Sequence, residues 1–256
     1  MHLDLTDRVV IVTGAGRGIG RAIAEAFVRE GSQVIITDVS PEAIAWHDGH
    51  SYVCDVTDTA AVQRMTASVV EQLGRIDVLV NNAGIMGEGM LDELDDETWD
   101  RCFDVNVGGV FKTCRAVVPI MKQQRSGRII NAASFAAIVP SIGSGAYAAA
   151  KAAVVQLTRT LAGELGPWDI TVNSYAPGMI PSGINTFAQM ESAAQNRLLD
   201  TLTLRRWGDP AEVADLVCFL ASDAARYITG ALIDVSGGKL ATQLPQRAYE
   251  LAEFGR

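Results

Sequence analysis

Residues 8–13 read R-V-V-I-V-T and run straight into G-A-G-R-G-I-G at 14–20, and that junction constrains the fold more than any other stretch. A short, continuous β-branched run is the pattern of a strand buried on both faces. The glycine turn opens R-A-I-A-E-A-F-V-R-E, which has apolar residues at helical spacing and a stop at Gly31. A second expected strand, 33–37 (Q-V-I-I-T), ends at Asp38. Strand, glycine turn, helix and strand within about thirty residues is the size of a βαβ crossover.

The same rhythm continues along the chain. Strands are expected at 51–54, 77–80, 128–132, 170–175 and 231–235. Helices are expected at 59–73, 96–124 (softened around Val107, Gly108 and Gly109), 147–164 and 210–221. Strands alternating with helices imply an α/β fold, a doubly wound parallel sheet with helices on both faces. The hydrophobic share of 48% and the 24 glycines suit such a sheet with tight turns. No Pro/Ser-rich linker breaks the pattern, so residues 1–256 are read as one domain. Two stretches depart from it. Residues 179–204 follow a strand end, where substrate lids form. Residues 239–256 are a weakly amphipathic C-terminal arm, suited to packing or subunit contact.

A formal charge of -9 with no basic patch argues against nucleic acid or an anionic membrane surface as partner. It does not exclude a phosphate-bearing ligand, which backbone amides can hold. Cys54, Cys102, Cys114 and Cys218 are scattered, which points to reduced thiols and a cytoplasmic setting. The opening M-H-L-D-L-T-D-R leaves no room for a signal peptide, and no apolar run reaches ~18 residues without a charge. His47 and His50 flank Asp48, but no third ligand sits at a suitable spacing, so a solvated turn is expected and no metal. The acidic run 88–96 reads as a solvated helix start, with Asp95 as cap and Trp99 packing.

Chemistry enters at 134–151, S-F-A-A-I-V-P-S-I-G-S-G-A-Y-A-A-A-K, whose alanine-rich end favours helix. There Tyr147 and Lys151 are i and i+4, on one face and about 6 Å apart along the axis. At an effective dielectric near 20, a unit charge ~5 Å away is worth roughly 3 kcal/mol, or about 2.4 pKa units. The expectation is a phenol lowered towards neutrality and fit for general acid–base work. The glycine turn, T-G-x-x-x-G-x-G, is not the strict G-x-G-x-x-G pattern, but it opens a helix whose N-terminal amides suit a pyrophosphate. Asp38, about twenty residues on, suits ribose hydroxyls and repels a 2′-phosphate. Arg17 pulls the other way and Val39 brings no cation, so NAD is expected over NADP.

Taken together, these residues resemble the single-domain branch of the short-chain dehydrogenase/reductase family, over nearly the whole chain. T-G-A-G-R-G-I-G at 13–20 resembles its cofactor turn, N-N-A-G at 81–84 its fourth-strand motif, and Pro177-Gly178 its nicotinamide-side loop. The resemblance implies a Rossmann-type fold, a homotetramer, and an oxidoreductase that interconverts a secondary alcohol and a ketone. It implies a catalytic set of Asn106, Ser134, Tyr147 and Lys151. Tyr147 would pass the proton, Lys151 would lower its pKa and hold the nicotinamide ribose, and Ser134 would donate to the reacting oxygen. Asn106 would position a water linking Lys151 to solvent. On the cofactor it implies Gly14, Arg17, Gly18, Ile19 and Gly20 in the turn, Asp38 on the ribose, and Asp55 with Val56 at the adenine. Asn82, Ala83 and Gly84 would flank the adenine ribose, and Ile180 would join Pro177, Gly178, Tyr147 and Lys151 on the nicotinamide side.

The substrate pocket is expected to be walled by Ser134, Phe135, Ala136, Ile142, Gly143, Ser144, Met86 and Met179, with Ile184, Phe187 and Met190 from the lid. These are mostly apolar, and the lid carries no Lys or Arg before Arg197, so a small or medium alcohol or ketone is expected. The segment 134–147 is somewhat similar to dihydrodiol dehydrogenases, although the cation near Ser141 found with carboxylated diols is missing. A second reading is reduction of a 3-oxoacyl thioester on its carrier protein, with Arg125 and Arg128 resembling the docking surface. Trp168 stands where such reductases place another arginine, and Asp38 disfavours NADPH. A nucleotide-sensing protein on the same fold is the non-enzyme reading, but degenerate members lose the Tyr147 or Lys151 counterpart and both are present.

Overall fold

The computed structural model describes residues 3–182, 189–239 and 241–252. Its centre is β1 (Val9–Thr13), wholly buried and paired in parallel with β2 (Gln33–Asp38) on one side and β4 (Val78–Asn81) on the other. With β3 (His50–Val53), β5 (Gly127–Ala132), β6 (Ile170–Pro177) and β7 (Leu232–Val235), these strands form a seven-stranded parallel sheet in the order β3-β2-β1-β4-β5-β6-β7. Alternate side chains of β1 feed two separate cores, as a pleated strand dictates. Val10 and Val12 meet Ile23 and Phe27 of α1 (Gly18–Arg29) and Val213 and Val217 of α8 (Pro210–Ala221). Val9 and Ile11 meet Met65 of α3 (Thr59–Leu73), Val117 of α5 (Gly109–Gln124) and Val154 of α6 (Gly145–Leu165). Helices therefore cover both faces, and the expected doubly wound, Rossmann-like sheet is what the chain builds.

The remaining helices are α2 (Pro41–Ile44), α4 (Asp96–Phe103), α7 (Ser192–Leu199) and α9 (Gln246–Leu251). The softening expected near residue 107 is a π-turn, Asp104–Gly108, between α4 and α5. Asp95 caps α4 by accepting the Thr98 N–H at 2.6 Å, and Trp99 stacks on Phe103. In the C-terminal arm, α9 buries no side chain, and Tyr249 donates its hydroxyl to the Thr203 carbonyl at 2.8 Å. Among the described residues no helix is long and apolar enough to cross a membrane.

Strand order reverses between β1 and β4, and in open parallel sheets the crevice outside the strand C-termini at such a point is the usual ligand site. Thr13, Asp38, Asn81 and Ala132 all end their strands there. Arg128 lies at the opposite end of β5 and is only 6% exposed. It donates to the Gly127 and Asp169 carbonyls and to the Asp223 carboxylate. The docking role suggested for Arg128 is therefore corrected: its guanidinium is enclosed at the far end of β5 and tied to the fold through both terminal nitrogens. Arg125 stays accessible at the end of α5, and Trp168 is covered by the Lys122 ammonium, 4.0 Å from its ring centre.

Candidate active site

The glycine turn is shaped by what it must let approach. Gly14 has φ +62°, and a side-chain carbon there would lie 2.7 Å from Ala83 Cα. One at Gly16 would lie 2.5 Å from Ala43 Cβ and 2.7 Å from Asp38 Oδ2. With only hydrogen there, Asp38 Oδ2 accepts the Gly16 N–H at 3.1 Å, while its Oδ1 takes the Val39 N–H at 2.8 Å. Next to it, α1 starts with no side-chain cap and no acidic residue in its first turn. Its leading N–H groups and positive dipole end are thus left for an anion.

Two adjoining cavities open on this turn. The larger, about 240 Å³, has Gly14, Arg17, Gly18, Ile19, Gly20 and Asp38 on one wall and Asp55, Val56, Asn82, Ala83 and Gly84 on the other. The second, about 100 Å³, shares Ile19, Asn82, Gly84 and Ser182 with it. It adds Ser134, Tyr147, Lys151, Pro177, Gly178 and Ile180. Every residue expected to touch a dinucleotide thus lies along one crevice, with Asp38 at one end and Tyr147 at the other. The donor set, uncapped helix amides beside a carboxylate at a strand end, fits a nicotinamide dinucleotide. Arg101, which sequence spacing did not suggest, lines the larger cavity with its guanidinium 3.8 Å from the Asp55 carboxylate.

Ser134 sits on extended backbone just past β5, where its Oγ accepts the Ala136 N–H at 3.1 Å, and it lines the inner cavity together with Tyr147. Lys151 is 3% exposed; its Nζ donates to the Ala132 carbonyl at 2.9 Å and lies 5.7 Å from the Tyr147 ring centre. Asn106 is aimed by the π-turn, a distortion that recurs at functional sites. Its amide nitrogen donates to the Ile85 and Cys102 carbonyls, both at 2.9 Å. Its buried Oδ1 has no partner among the described residues. A side-chain carbon at Gly84 would lie 2.6 Å from that Oδ1 and 3.2 Å from Lys151 Nζ, so both groups converge on one spot that glycine keeps open.

The electrostatics reverse one expectation. Burial pushes the Tyr147 hydroxyl pKa up, against the pull of the Ser134 hydroxyl. Burial also lowers Lys151 to about 8. Helical spacing fixes how near the two groups stand, but it contains no desolvation, and desolvation by burial is the largest influence on each of them. A pH titration of ε-¹³C-labelled lysine should therefore show one resonance moving near pH 8 and missing from Lys151→Met. A Lys151 signal titrating above about pH 10, as for a free lysine, would contradict this environment.

A hydrogen-bonded relay beneath the crevice went unnoticed in the sequence. Tyr175, fully buried on β6, donates to Asn82 Oδ1 at 3.1 Å. The Asn82 amide nitrogen donates to the Thr13 and Gly14 carbonyls at 3.1 and 3.0 Å. Thr13 Oγ1 accepts the Asn82 and Ala83 N–H groups at 3.0 and 3.1 Å. An aromatic residue in a run otherwise made of small and β-branched residues, I-T-V-N-S-Y-A-P, is the one signal that could have marked it. Tyr175→Phe strands a buried acceptor and should cost about 1–3 kcal/mol, read as a fall in Tm of about 2–4 °C per kcal/mol. An unchanged Tm would show that the relay carries no stability.

Of the expected substrate walls, Ser134 lines the inner cavity. Ile142 does not face it: its side chain is 90% exposed, because Gly143, at φ +77°, turns the loop outward. The Gly143 carbonyl takes the Gly89 N–H, and Ser144 is buried with its hydroxyl on the Ser141 carbonyl. Met179 lines a neighbouring cavity of about 180 Å³ with Leu204 and Arg206, which meets the inner one at Ile180. Ala136 and Met86 are partly buried outside the lining of the inner cavity. Met190 is 36% exposed, and Ile184 and Phe187 lie outside the described residues.

Comparison with known proteins assigns the family. A family profile described as Enoyl-(Acyl carrier protein) reductase matches residues 14–239, nearly the whole sheet and the crevice above it. The chain belongs to the short-chain dehydrogenase/reductase family. It is an oxidoreductase, and the family works with a nicotinamide cofactor. Among curated relatives, the 3-oxoacyl-(acyl-carrier-protein) reductase FabG of Thermotoga maritima is 40% identical over 245 residues, 92% of this chain and 99% of that one. The protein of the same name from Vibrio harveyi is 36% identical over 242 residues, covering 92% and 98%. Among solved structures, levodione reductase aligns with a TM-score of 0.88 at 35% identity, covering 93% of this chain and 99% of that one. The aldohexose dehydrogenase of Thermoplasma acidophilum aligns with a TM-score of 0.87 at 33% identity, covering 95% and 98%. These short-chain dehydrogenase/reductase relatives are similar throughout their length but carry three different substrate names.

Proposed function

We propose that this protein is an NAD-dependent oxidoreductase that interconverts a secondary alcohol and a ketone, with Tyr147 as general acid–base. The observation that carries the reading is the single crevice with a carboxylate at one end and Ser134, Tyr147 and the buried Lys151 at the other. Asp38, held by two backbone amides, is oriented to accept ribose hydroxyls and sets a carboxylate against a 2′-phosphate. The bound nicotinamide supplies or accepts the hydride. Ser134 and Tyr147 donate hydrogen bonds to the substrate oxygen, and donors fixed where charge develops stabilise the transition state. Tyr147, kept protonated by burial, gives its proton to that oxygen in reduction and takes it back in oxidation. Lys151 holds the ribose on that side, and Asn106 Oδ1, facing the same opening at Gly84, fixes a water through which Lys151 exchanges protons with solvent.

The names of the curated relatives favour a second reading, reduction of a 3-oxoacyl thioester on its carrier protein. Against it stand Arg128, enclosed at the far end of β5, and Trp168, stacked under Lys122. A panel of ketones, secondary alcohols and 3-oxoacyl thioesters, assayed with NAD(H) and NADP(H), separates the two. Free ketones turned over with NADH support the first reading, and turnover confined to carrier-bound thioesters overturns it.

A further inference from the structure

One charged side chain beside the crevice has no use in that chemistry. The turn after β7 is fastened on several sides. The Gly178 N–H donates to the Val235 carbonyl at 3.0 Å, the Leu204 N–H to Gly237 at 3.0 Å, and the Thr203 hydroxyl to Gly238 at 2.8 Å. A side-chain carbon at Gly178 would come within 2.6 Å of Ser236 Cα, so the turn presses on the strand end that lines the inner cavity. Ser236 Oγ accepts the Lys239 N–H at 3.2 Å and so fixes where the Lys239 side chain begins.

A lysine on a turn ordinarily runs its ammonium out to water. Lys239 does not. It is partly buried, and its Nζ stands 4.7 Å over the ring centre of Phe135, the residue directly after Ser134. Phe135 is itself 8% exposed. Burial lowers the Lys239 pKa. Among the described residues no carboxylate pairs with Lys239 and no acceptor takes a hydrogen bond from its Nζ. The ring face offsets part of the desolvation but leaves three strong donors unanswered. In a chain with 30 acidic and 21 basic residues, a partly buried cation without an acid against it is unexpected.

We propose that Lys239 binds a carboxylate on the substrate, so that the enzyme acts on a ketone or secondary alcohol whose acid group lies at the end remote from the reacting carbon. One ammonium answers one negative charge, and its seat on Phe135 stands next in the chain to Ser134 of the inner cavity. This narrows the small or medium alcohol or ketone expected from a lid without Lys or Arg before Arg197 to one that carries a single negative charge. The cation comes from the far end of the chain. The inference names the substrate class for the reaction proposed above and rests on that reading.

Calorimetry on the whole chain saturated with NAD⁺, which has no hydride to give a ketone, tests it, using 4-oxopentanoate and 5-oxohexanoate against their methyl esters. Wild type should prefer acid over ester by about 10- to 100-fold in Kd, the range for one charge-assisted hydrogen bond. The preference should vanish in Lys239→Met and persist in Lys239→Arg, with Tm confirming that both variants fold. Equal binding of acid and ester to wild type, or an unchanged ratio in Lys239→Met, would overturn the proposal. So would a loss of NAD⁺ affinity with the ratio kept, which would put the ammonium on the cofactor. Turnover of the same compounds is scored separately: a Lys239-dependent ratio without any turnover would sink the proposed reaction and leave anion recognition standing.

Discussion

Replacing Tyr147 by phenylalanine is expected to lower kcat by roughly 10²- to 10⁴-fold, the contribution a positioned general acid–base makes, while nucleotide binding survives. The ring of Tyr147 remains to fill its place, and the cavity wall built from the glycine turn is untouched by the change. What is lost is the one hydroxyl that shares the inner cavity with Ser134 and Lys151. Because burial raises the Tyr147 pKa, the proton is present throughout the neutral range, and ketone reduction has its donor there without the lowered pKa that helical spacing alone suggested. The check is kcat by steady-state assay beside Kd for NADH by fluorescence titration. Activity within a few-fold of wild type would reject the proton-donor role, and a matching loss of NADH affinity would make Tyr147 a binding residue instead.

The second large effect concerns Asp38. A 2′-phosphate would bring about two negative charges to within roughly 5 Å of this carboxylate, a repulsion of roughly 2–6 kcal/mol for a dielectric between 20 and 80. The kcat/KM with NADH should therefore exceed that with NADPH by at least about 30-fold. Asp38→Ser removes the repulsion and also a ribose acceptor, so NADH efficiency should fall while NADPH efficiency rises, helped by Arg17 on the same cavity wall. Equal efficiency of wild type with both nucleotides would show that Arg17 decides the choice.

How much of this was legible in the chain depends on the reach of each contact. The glycine turn, Asp38 and the Tyr147–Lys151 pair declare themselves because their partners lie within one βαβ unit or one helical turn. The parallel sheet was legible for the same reason: each strand is bounded by its own turn residues. Arg128 could not be placed, because its partner Asp223 is far along the chain and only the packed β5 edge brings them together. Tyr175 and Lys239 were hidden likewise, each meeting a residue of another strand end or loop. The softened helix near Val107 was visible, but not that the π-turn aims Asn106 at Gly84. Burial was the other gap: sequence spacing sets how close Lys151 comes to Tyr147, whereas their pKa shifts come from the protein enclosing both.

The most direct test of the account is one titration: NADH added to the wild-type chain until binding saturates, followed by a ketone, with nicotinamide absorbance recorded throughout. Saturable binding and then loss of absorbance on addition of the ketone is the expected result. Saturable binding with no oxidation of NADH across the ketone panel, or no binding at all, would contradict the claim that this crevice joins a dinucleotide to Tyr147.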